Sequence, residues 1–116
     1  MYKIYHNPRC RKSREALNFL IKENIEHDVI LYLERNLSEE EIRNITDQLE
    51  IHPEKLIRNQ EPIWKEMFKN KDLNKNQYVE ILSKYPKLIE RPIIINNNKG
   101  VIARPIENLI KFIKSC

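Results

Sequence analysis

The sequence predicts an α/β fold with a central mixed sheet, and three observations lead to this prediction. A β-rich segment at residues 1–5, an amphipathic segment at 13–24 and an apolar run at 26–33 give the order β-α-β. A block of helical segments follows, over about residues 38–86. The chain then closes with two strand-like segments around a tight turn and with a last amphipathic helix, which gives β-β-α.

The first five residues, "MYKIY", are rich in strand-forming side chains and predict the first strand. The segment that follows predicts a helix, because its apolar residues recur at helical spacing: Ala16, Leu17, Leu20 and Ile21. Asn24 is the predicted stop of this helix. The run Val29, Ile30 and Leu31 then predicts a strand that is buried on both faces. A β-α-β unit of this kind prefers parallel strands and a right-handed crossover.

The helical block carries several start and stop signals. Ser38 with Glu41 forms the pattern of a capping box, and Asn74 with Gln77 forms a second one. Prolines mark the first turn of two short helices and the end of a third helix, at Pro53, Pro62 and Pro86. His52 is predicted to start the helix that contains Pro53.

The last segments predict a hairpin and a helix. Asn98 and Gly100 can adopt positive φ, which a tight turn between the two strands requires. Pro105 is placed in the first turn of the closing helix, which has an inward stripe of Ile106, Leu109, Ile110 and Ile113. With the helical block taken as an insertion, the element order is that of a thioredoxin-like fold, built as one domain over residues 1–116.

Composition narrows the class of protein. The chain has 116 residues, 41% of them apolar and 33% charged, and its net charge is only +4. This mild excess favours anionic partners but does not indicate nucleic acid. No apolar run reaches the length of a membrane span and no signal-peptide pattern is visible, so we expect a cytoplasmic protein that does not bind membranes.

Glycine and cysteine counts argue against several kinds of site. The one glycine, Gly100, rules out a P-loop and a dinucleotide-binding fingerprint, which both need several glycines. The two cysteines, Cys10 and Cys116, do not form a C-x-x-C pair or a disulfide scaffold. Together with three histidines they are too few and too scattered to predict a metal site. We therefore expect no bound cofactor and no metal.

Cys10, in the segment "YHNPRCRKSR", is the candidate nucleophile. It lies between the first predicted strand and the first predicted helix, where helical N–H groups and the helix dipole favour a thiolate. Four cationic side chains flank it: Arg9, Arg11, Lys12 and Arg14. The alternative is a buried, inert cysteine, which would explain neither the cations nor the position.

Two neighbours could assist Cys10. Ser13 completes a C-x-x-S pattern, where it could bond within the first helical turn, contact the sulfur, or do both. His6 is close enough in sequence to share the loop, or it could be an ordinary loop histidine.

Three arginines form a candidate oxyanion site. Arg91 and Arg104 each precede a proline and flank the predicted hairpin, so we expect them to lie close together, while Arg58 follows a short helix. Each alone could be a solvated surface residue. Beside an anion-favouring helix start, their planar donors suggest a cage for a tetrahedral oxyanion.

Taken in order, "YHNPRCRKSR", "ILYLE", "LIRNQEP", "ERPII" and "ARP" resemble the arsenate reductase family of the glutaredoxin-coupled type over nearly the whole chain. The resemblance implies that Cys10 attacks arsenate, and that Arg58, Arg91 and Arg104 hold the oxyanion. It also implies that His6 helps keep the sulfur ionised, that the Ser13 hydroxyl contacts the thiolate, and that Pro92 is a cis-proline. Arg9 and Arg11 stand where the best-studied members carry small residues.

The resemblance further implies that glutathione is the co-substrate and that a glutaredoxin clears the resulting mixed disulfide. Cys116 is the last residue, and we expect it to lack the fixed position that a resolving cysteine needs. Two alternatives use the same fold. One is a regulator resembling the Spx proteins, which bind RNA polymerase and typically carry C-x-x-C. The other is a general thiol oxidoreductase without arsenate activity.

Overall fold

The structure is a computed structural model, and it describes residues 1–115. In chain order the elements are β1 (Tyr2–Tyr5), α1 (Arg11–Lys22), β2 (His27–Ile30), α2 (Glu39–Leu49), α3 (Pro62–Met67), α4 (Lys75–Lys84), β3 (Ile93–Asn96), β4 (Lys99–Ile102) and α5 (Ile106–Ser115). The chain divides into two compact units. The first unit comprises Met1–Glu34 and the chain from Arg91 onward, and the second comprises Arg35–Glu90. One domain over residues 1–116, with an insertion at about 38–86, stays a prediction.

The first unit contains a four-stranded sheet in the order β2-β1-β3-β4. β1 runs parallel to β2 and antiparallel to β3, and β3 runs antiparallel to β4. Ile94 of β3 lies opposite both Ile4 of β1 and Val101 of β4. The mixed sheet that the sequence predicts is confirmed.

The core of the first unit joins the sheet to α1 and α5. Its fully buried members are Ile4, Ala16, Leu20, Ile94, Ala103 and Leu109. Partly buried side chains of both helices pack around them, including Leu17, Ile106 and Ile113. These follow the predicted apolar stripes, except that Ile21 of the α1 stripe is exposed. Burial of each large aliphatic side chain stabilises the fold by about 1.5–3 kcal/mol, which fixes the sheet against α1 and α5.

The prediction that the second strand is buried on both faces is wrong. β2 is an edge strand with β1 as its neighbour in the sheet, and Val29 is 43% exposed. The strand ends at Ile30, and Leu31 begins a turn in which the Glu34 amide donates to the Leu31 carbonyl. The continuous apolar run therefore covers an edge strand and the turn after it, where Leu31 is half-buried and Tyr32 is buried.

The hairpin turn also differs from its prediction. Positive φ occurs at Asn97 and Asn98, with φ of 52° and 63°, whereas Gly100 lies within β4 opposite Ile95. Asparagine tolerates the left-handed region, so the turn needs no glycine. Helix α5 begins at Ile106, so Pro105 directly precedes the helix and does not lie in its first turn as predicted.

Both X-Pro bonds that border the hairpin are cis. The predicted cis bond between Arg91 and Pro92 is confirmed, and the bond between Arg104 and Pro105 is cis as well.

The second unit is the helical block, and its start signals act as predicted. Ser38 and Glu41 form a capping box at α2, and Asn74 and Gln77 form one at α4. His52 caps a short 3-10 helix by accepting a hydrogen bond from the Glu54 amide at 3.0 Å. None of the helices within residues 1–115 is long and apolar enough to cross a membrane.

Candidate active site

A tight turn before α1 shapes the loop that carries Cys10. The side-chain oxygen of Asn7 accepts from the Arg9 amide at 3.0 Å, and the Asn7 carbonyl accepts from the Cys10 amide at 3.0 Å. The Asn7 amide donates to the Ser13 hydroxyl, also at 3.0 Å. Asn7 is buried and ties the loop to the helix, a role that the sequence analysis missed. The Asn-Pro dipeptide, which favours turn initiation, is the signal that could have identified it.

Cys10 is the residue that precedes α1, and its thiol is half-buried. Its carbonyl accepts the first helical hydrogen bond, from the Arg14 amide at 3.0 Å. Burial opposes ionisation of the thiol. Hydrogen bonds from the Ser13 amide, the Arg91 guanidinium and the Lys12 amide outweigh that effect, and the charge of Arg91 adds to them, so the pKa of Cys10 is lowered. The direction and the role of the helical amides agree with the sequence analysis. The positive charge that acts on the sulfur comes from Arg91, which is far away in sequence, and not from the cations that flank Cys10.

The hairpin brings Arg91 and Arg104 to Cys10. β3 and β4 remain hydrogen-bonded beyond their ends, because the Ala103 amide donates to the Pro92 carbonyl at 2.9 Å. This pairing carries Arg91 and Arg104 to the same end of the hairpin, as predicted. Nη2 of Arg104 lies 3.9 Å from Sγ of Cys10, and the Arg91 guanidinium hydrogen-bonds the same sulfur.

Asn108 fixes the backbone of Arg104. Its side-chain amide donates to the carbonyls of Ile102 and Arg104, at 3.3 Å each. These bonds hold the junction between β4 and α5, so the Arg104 guanidinium extends from an anchored backbone.

His6 and Ser13 form a buried pair beneath the sulfur-bearing loop. Nδ1 of His6 lies 2.7 Å from Oγ of Ser13, and both residues are buried. Burial, together with the charge of Arg14, lowers the pKa of His6, so the imidazole is favoured in its neutral form. The hydroxyl of Ser13 contacts His6 and the Asn7 amide, while the backbone N–H of Ser13 reaches the sulfur. The predicted contact of the hydroxyl with the thiolate, and the predicted effect of His6 on the sulfur, stay predictions.

Arg58 belongs to the second unit. Its amide donates to the Leu88 carbonyl at 2.7 Å, and its Nε lies 3.6 Å from a carboxylate oxygen of Glu90. Nη1 of Arg58 is buried and has no hydrogen-bond partner among residues 1–115. Its place in the three-arginine cage stays a prediction.

Comparison with known proteins assigns the family. The model of the ArsC family matches residues 5–112. The chain belongs to the ArsC family. The arsenate reductase of Haemophilus influenzae is 36% identical over 112 residues, which cover 95% of this chain and 97% of that protein. YfgD of Escherichia coli K12, an uncharacterized protein, is 37% identical over 113 residues, which cover 96% of this chain and 95% of that one.

A solved ArsC-family structure has the same fold. The structure of an arsenate reductase from Vibrio cholerae superposes with a TM-score of 0.90 at 36% identity, and the match covers 95% of each chain. The site described above therefore lies on an ArsC-family fold, and the thioredoxin-like fold that the sequence predicts is confirmed.

Two further observations bear on what the site could hold. Among residues 1–115, no group of three or more His, Cys, Asp or Glu side chains is placed to hold a metal ion. Cys116, the second cysteine of this ArsC-family chain, lies outside the described residues, so the predictions about it are not tested.

The lowered pKa of Cys10 predicts the pH dependence of its alkylation. In a Cys116→Ser background, where Cys10 is the sole thiol, the rate with iodoacetamide should rise with pH and reach half its maximum below the ordinary pKa of a cysteine thiol, because the thiolate is the reactive form. Arg91→Gln should move this midpoint upward by removing a hydrogen bond and a positive charge. The same protein unfolded in urea provides the reference, and a folded midpoint at or above that reference would contradict the site's electrostatics.

Proposed function

We propose that this protein reduces arsenate to arsenite, with the Cys10 thiolate as nucleophile and glutathione with a glutaredoxin as the source of electrons. The observation that carries the proposal is the sulfur itself: Cys10 has a lowered pKa and is contacted by the guanidinium groups of Arg91 and Arg104. Family membership and the names of the arsenate reductases similar to this chain support the choice of oxyanion.

In the first step the Cys10 thiolate attacks arsenic and displaces hydroxide, which forms a bond between sulfur and As(V). Arg91 and Arg104 donate to the oxyanion that approaches the sulfur, because planar guanidinium donors match the oxygens of a tetrahedral anion. Arg58 is the third proposed donor on the basis of the family resemblance. Ser13 and Lys12 act through their backbone N–H groups, which hold the sulfur in its reactive charge state.

In the second step a glutathione thiolate attacks the Cys10 sulfur. A disulfide bond forms, the bond between sulfur and arsenic breaks, and the electron pair stays on arsenic, which leaves as As(III). The two electrons come from the two thiols, Cys10 and glutathione. A glutaredoxin thiolate then takes the glutathionyl group and returns Cys10 to its thiolate, and a second glutathione regenerates the glutaredoxin.

Ser13 supports an external reductant. Where a C-x-x-C redox switch has its second cysteine, this chain has Ser13. The Ser13 hydroxyl is buried and is hydrogen-bonded to His6 and to the Asn7 amide. With Ser13 in place of a thiol, this loop cannot close an internal disulfide. The same feature disfavours the Spx-like regulator, which typically uses that pair of thiols. The cytoplasmic location, where glutathione is reduced, stays a prediction.

The test is a coupled assay in which glutathione, glutaredoxin and glutathione reductase link arsenate reduction to NADPH oxidation. We expect NADPH oxidation that requires both arsenate and this protein, and that is lost when glutaredoxin is replaced by thioredoxin with its reductase. Activity with the thioredoxin system alone would overturn the choice of reductant. Reduction of glutathione mixed disulfides without any arsenate turnover would instead identify a general thiol oxidoreductase.

A further inference from the structure

Three exposed arginines lie on the loop and on the first turn of α1, on either side of Cys10 in the chain. We name Arg9, Arg11 and Arg14 the basic collar, and all three are exposed while the Cys10 thiol between them is half-buried. The collar is anchored at both ends of the segment. The Arg9 amide is bonded to the Asn7 side chain, and Nη1 of Arg14 donates to the Pro8 carbonyl at 3.0 Å.

The charge of the collar is not neutralised within the described part of the chain. Three ion pairs among residues 1–115 join Arg35 to Glu41, Arg43 to Glu39 and Arg58 to Glu90, and these lie in the second unit. None of them includes a collar residue. The collar therefore presents surplus positive charge to solvent at the edge of the reactive sulfur.

The sulfur itself draws on other groups. The Cys10 thiolate is stabilised by the Ser13 and Lys12 amides and by Arg91, while Arg104 also contacts the sulfur. The collar residues are exposed and lie within four positions of Cys10 in the chain, so their charges act on a reactant that approaches the sulfur from solvent. Clusters of like charge beside a reactive group attract oppositely charged reactants and raise their association rates.

We infer that the basic collar selects thiol donors that carry carboxylates, and that glutathione, a tripeptide with two carboxylates, is the donor that it fits. The inference rests on the proposed function only for the identity of the donor. Arg91 and Arg104 face the sulfur and serve the oxyanion, whereas the collar acts on the larger molecule that arrives second. A neutral thiol of similar reactivity gains nothing from the collar.

The test uses thiol–disulfide exchange at Cys10 and needs neither arsenate nor a second enzyme. In a Cys116→Ser background, the Cys10 thiolate attacks oxidised glutathione, a Cys10–glutathione disulfide forms, and one glutathione thiolate leaves. The same reaction with 2-hydroxyethyl disulfide, which has no charge, gives the reference rate. Mass spectrometry of the intact protein measures both rate constants, and their ratio reports the preference for carboxylates.

We expect the Arg9→Gln/Arg11→Gln variant to lower this ratio by about tenfold at about 0.01 M salt, where the Debye length is about 30 Å. At about 1 M salt the Debye length falls to about 3 Å, and the variant and its parent should show the same ratio. The matched control is Lys22→Gln/Lys111→Gln, which removes two exposed charges from other positions on α1 and α5 and should leave the ratio unchanged.

Two results would overturn the inference. One is an unchanged ratio in the collar variant at low salt, with thermal unfolding showing an intact fold. The other is an equal loss in the control variant, which would assign the effect to net charge. Because no arsenate is present, either result would leave arsenate reduction untouched, and a failure of the coupled arsenate assay would leave the collar result standing.

Discussion

Replacing Cys10 by serine should reduce arsenate-dependent NADPH oxidation to the rate measured without the protein. The hydroxyl of serine is a far weaker nucleophile at neutral pH, and neither Arg91 nor the Ser13 and Lys12 amides can ionise it. The substitution changes one atom at the residue before α1 and should leave the fold intact, which thermal unfolding checks. Oxyanion binding should survive, because Arg91 and Arg104 remain.

The control for this result is Cys116→Ser, which should retain nearly full activity and the full requirement for glutathione. If Cys116→Ser stops turnover, or an oxidised sample contains a disulfide between the two cysteines, the reductant is internal and the proposed second step is wrong.

Arg91→Ala should lower kcat by about 10²–10³-fold, the typical cost of removing one donor from an oxyanion site. Arg91 acts in two ways, because it lowers the pKa of Cys10 and also donates to the proposed oxyanion. The pH profile of the variant should therefore shift upward, since the thiol now needs a higher pH to ionise. Raising the pH should recover the part of the loss that is due to ionisation, and the part that is due to oxyanion binding should remain.

Arg104→Ala separates these two effects. Arg104 lies 3.9 Å from the sulfur, but the groups that lower the pKa of Cys10 are the Ser13 and Lys12 amides and Arg91. We expect a loss of kcat similar to that of Arg91→Ala with a smaller shift of the pH profile. Arg43→Gln removes an exposed arginine of the second unit and serves as the control. Full arsenate turnover in both alanine variants would show that the two arginines do not hold the oxyanion.

Local signals in the sequence predict local structure well in this chain. The capping boxes at Ser38 and Asn74, and the cap at His52, all form as predicted, because each is decided by residues within one helical turn. The order of strands and helices also follows from periodicity. Burial of β2 does not, because its place at the sheet edge depends on which strands pair, and that is decided by partners far along the chain.

The sequence predicts which residues form the site better than it predicts the hydrogen bonds between them. Cys10 can be identified from its sequence neighbours. The proximity of Arg91 and Arg104 can also be predicted, because the two strands of a hairpin bring the residues at their open end together. The hydrogen bonds of the buried Ser13 hydroxyl to His6 and Asn7 cannot be predicted in this way, because any of several polar groups in a short loop could make them. Only the packed arrangement decides among them.

The position of β1 has a consequence for synthesis on the ribosome. β1 lies between β2, which follows it closely in sequence, and β3, which is made only near the end of translation. Until β3 emerges, one edge of β1 has no strand partner, and Ile94, Ala103 and Leu109 are not yet available to cover Ile4. A nascent chain that stalls before β3 thus displays an open strand edge beside incomplete apolar packing, the combination that recruits chaperones and promotes aggregation.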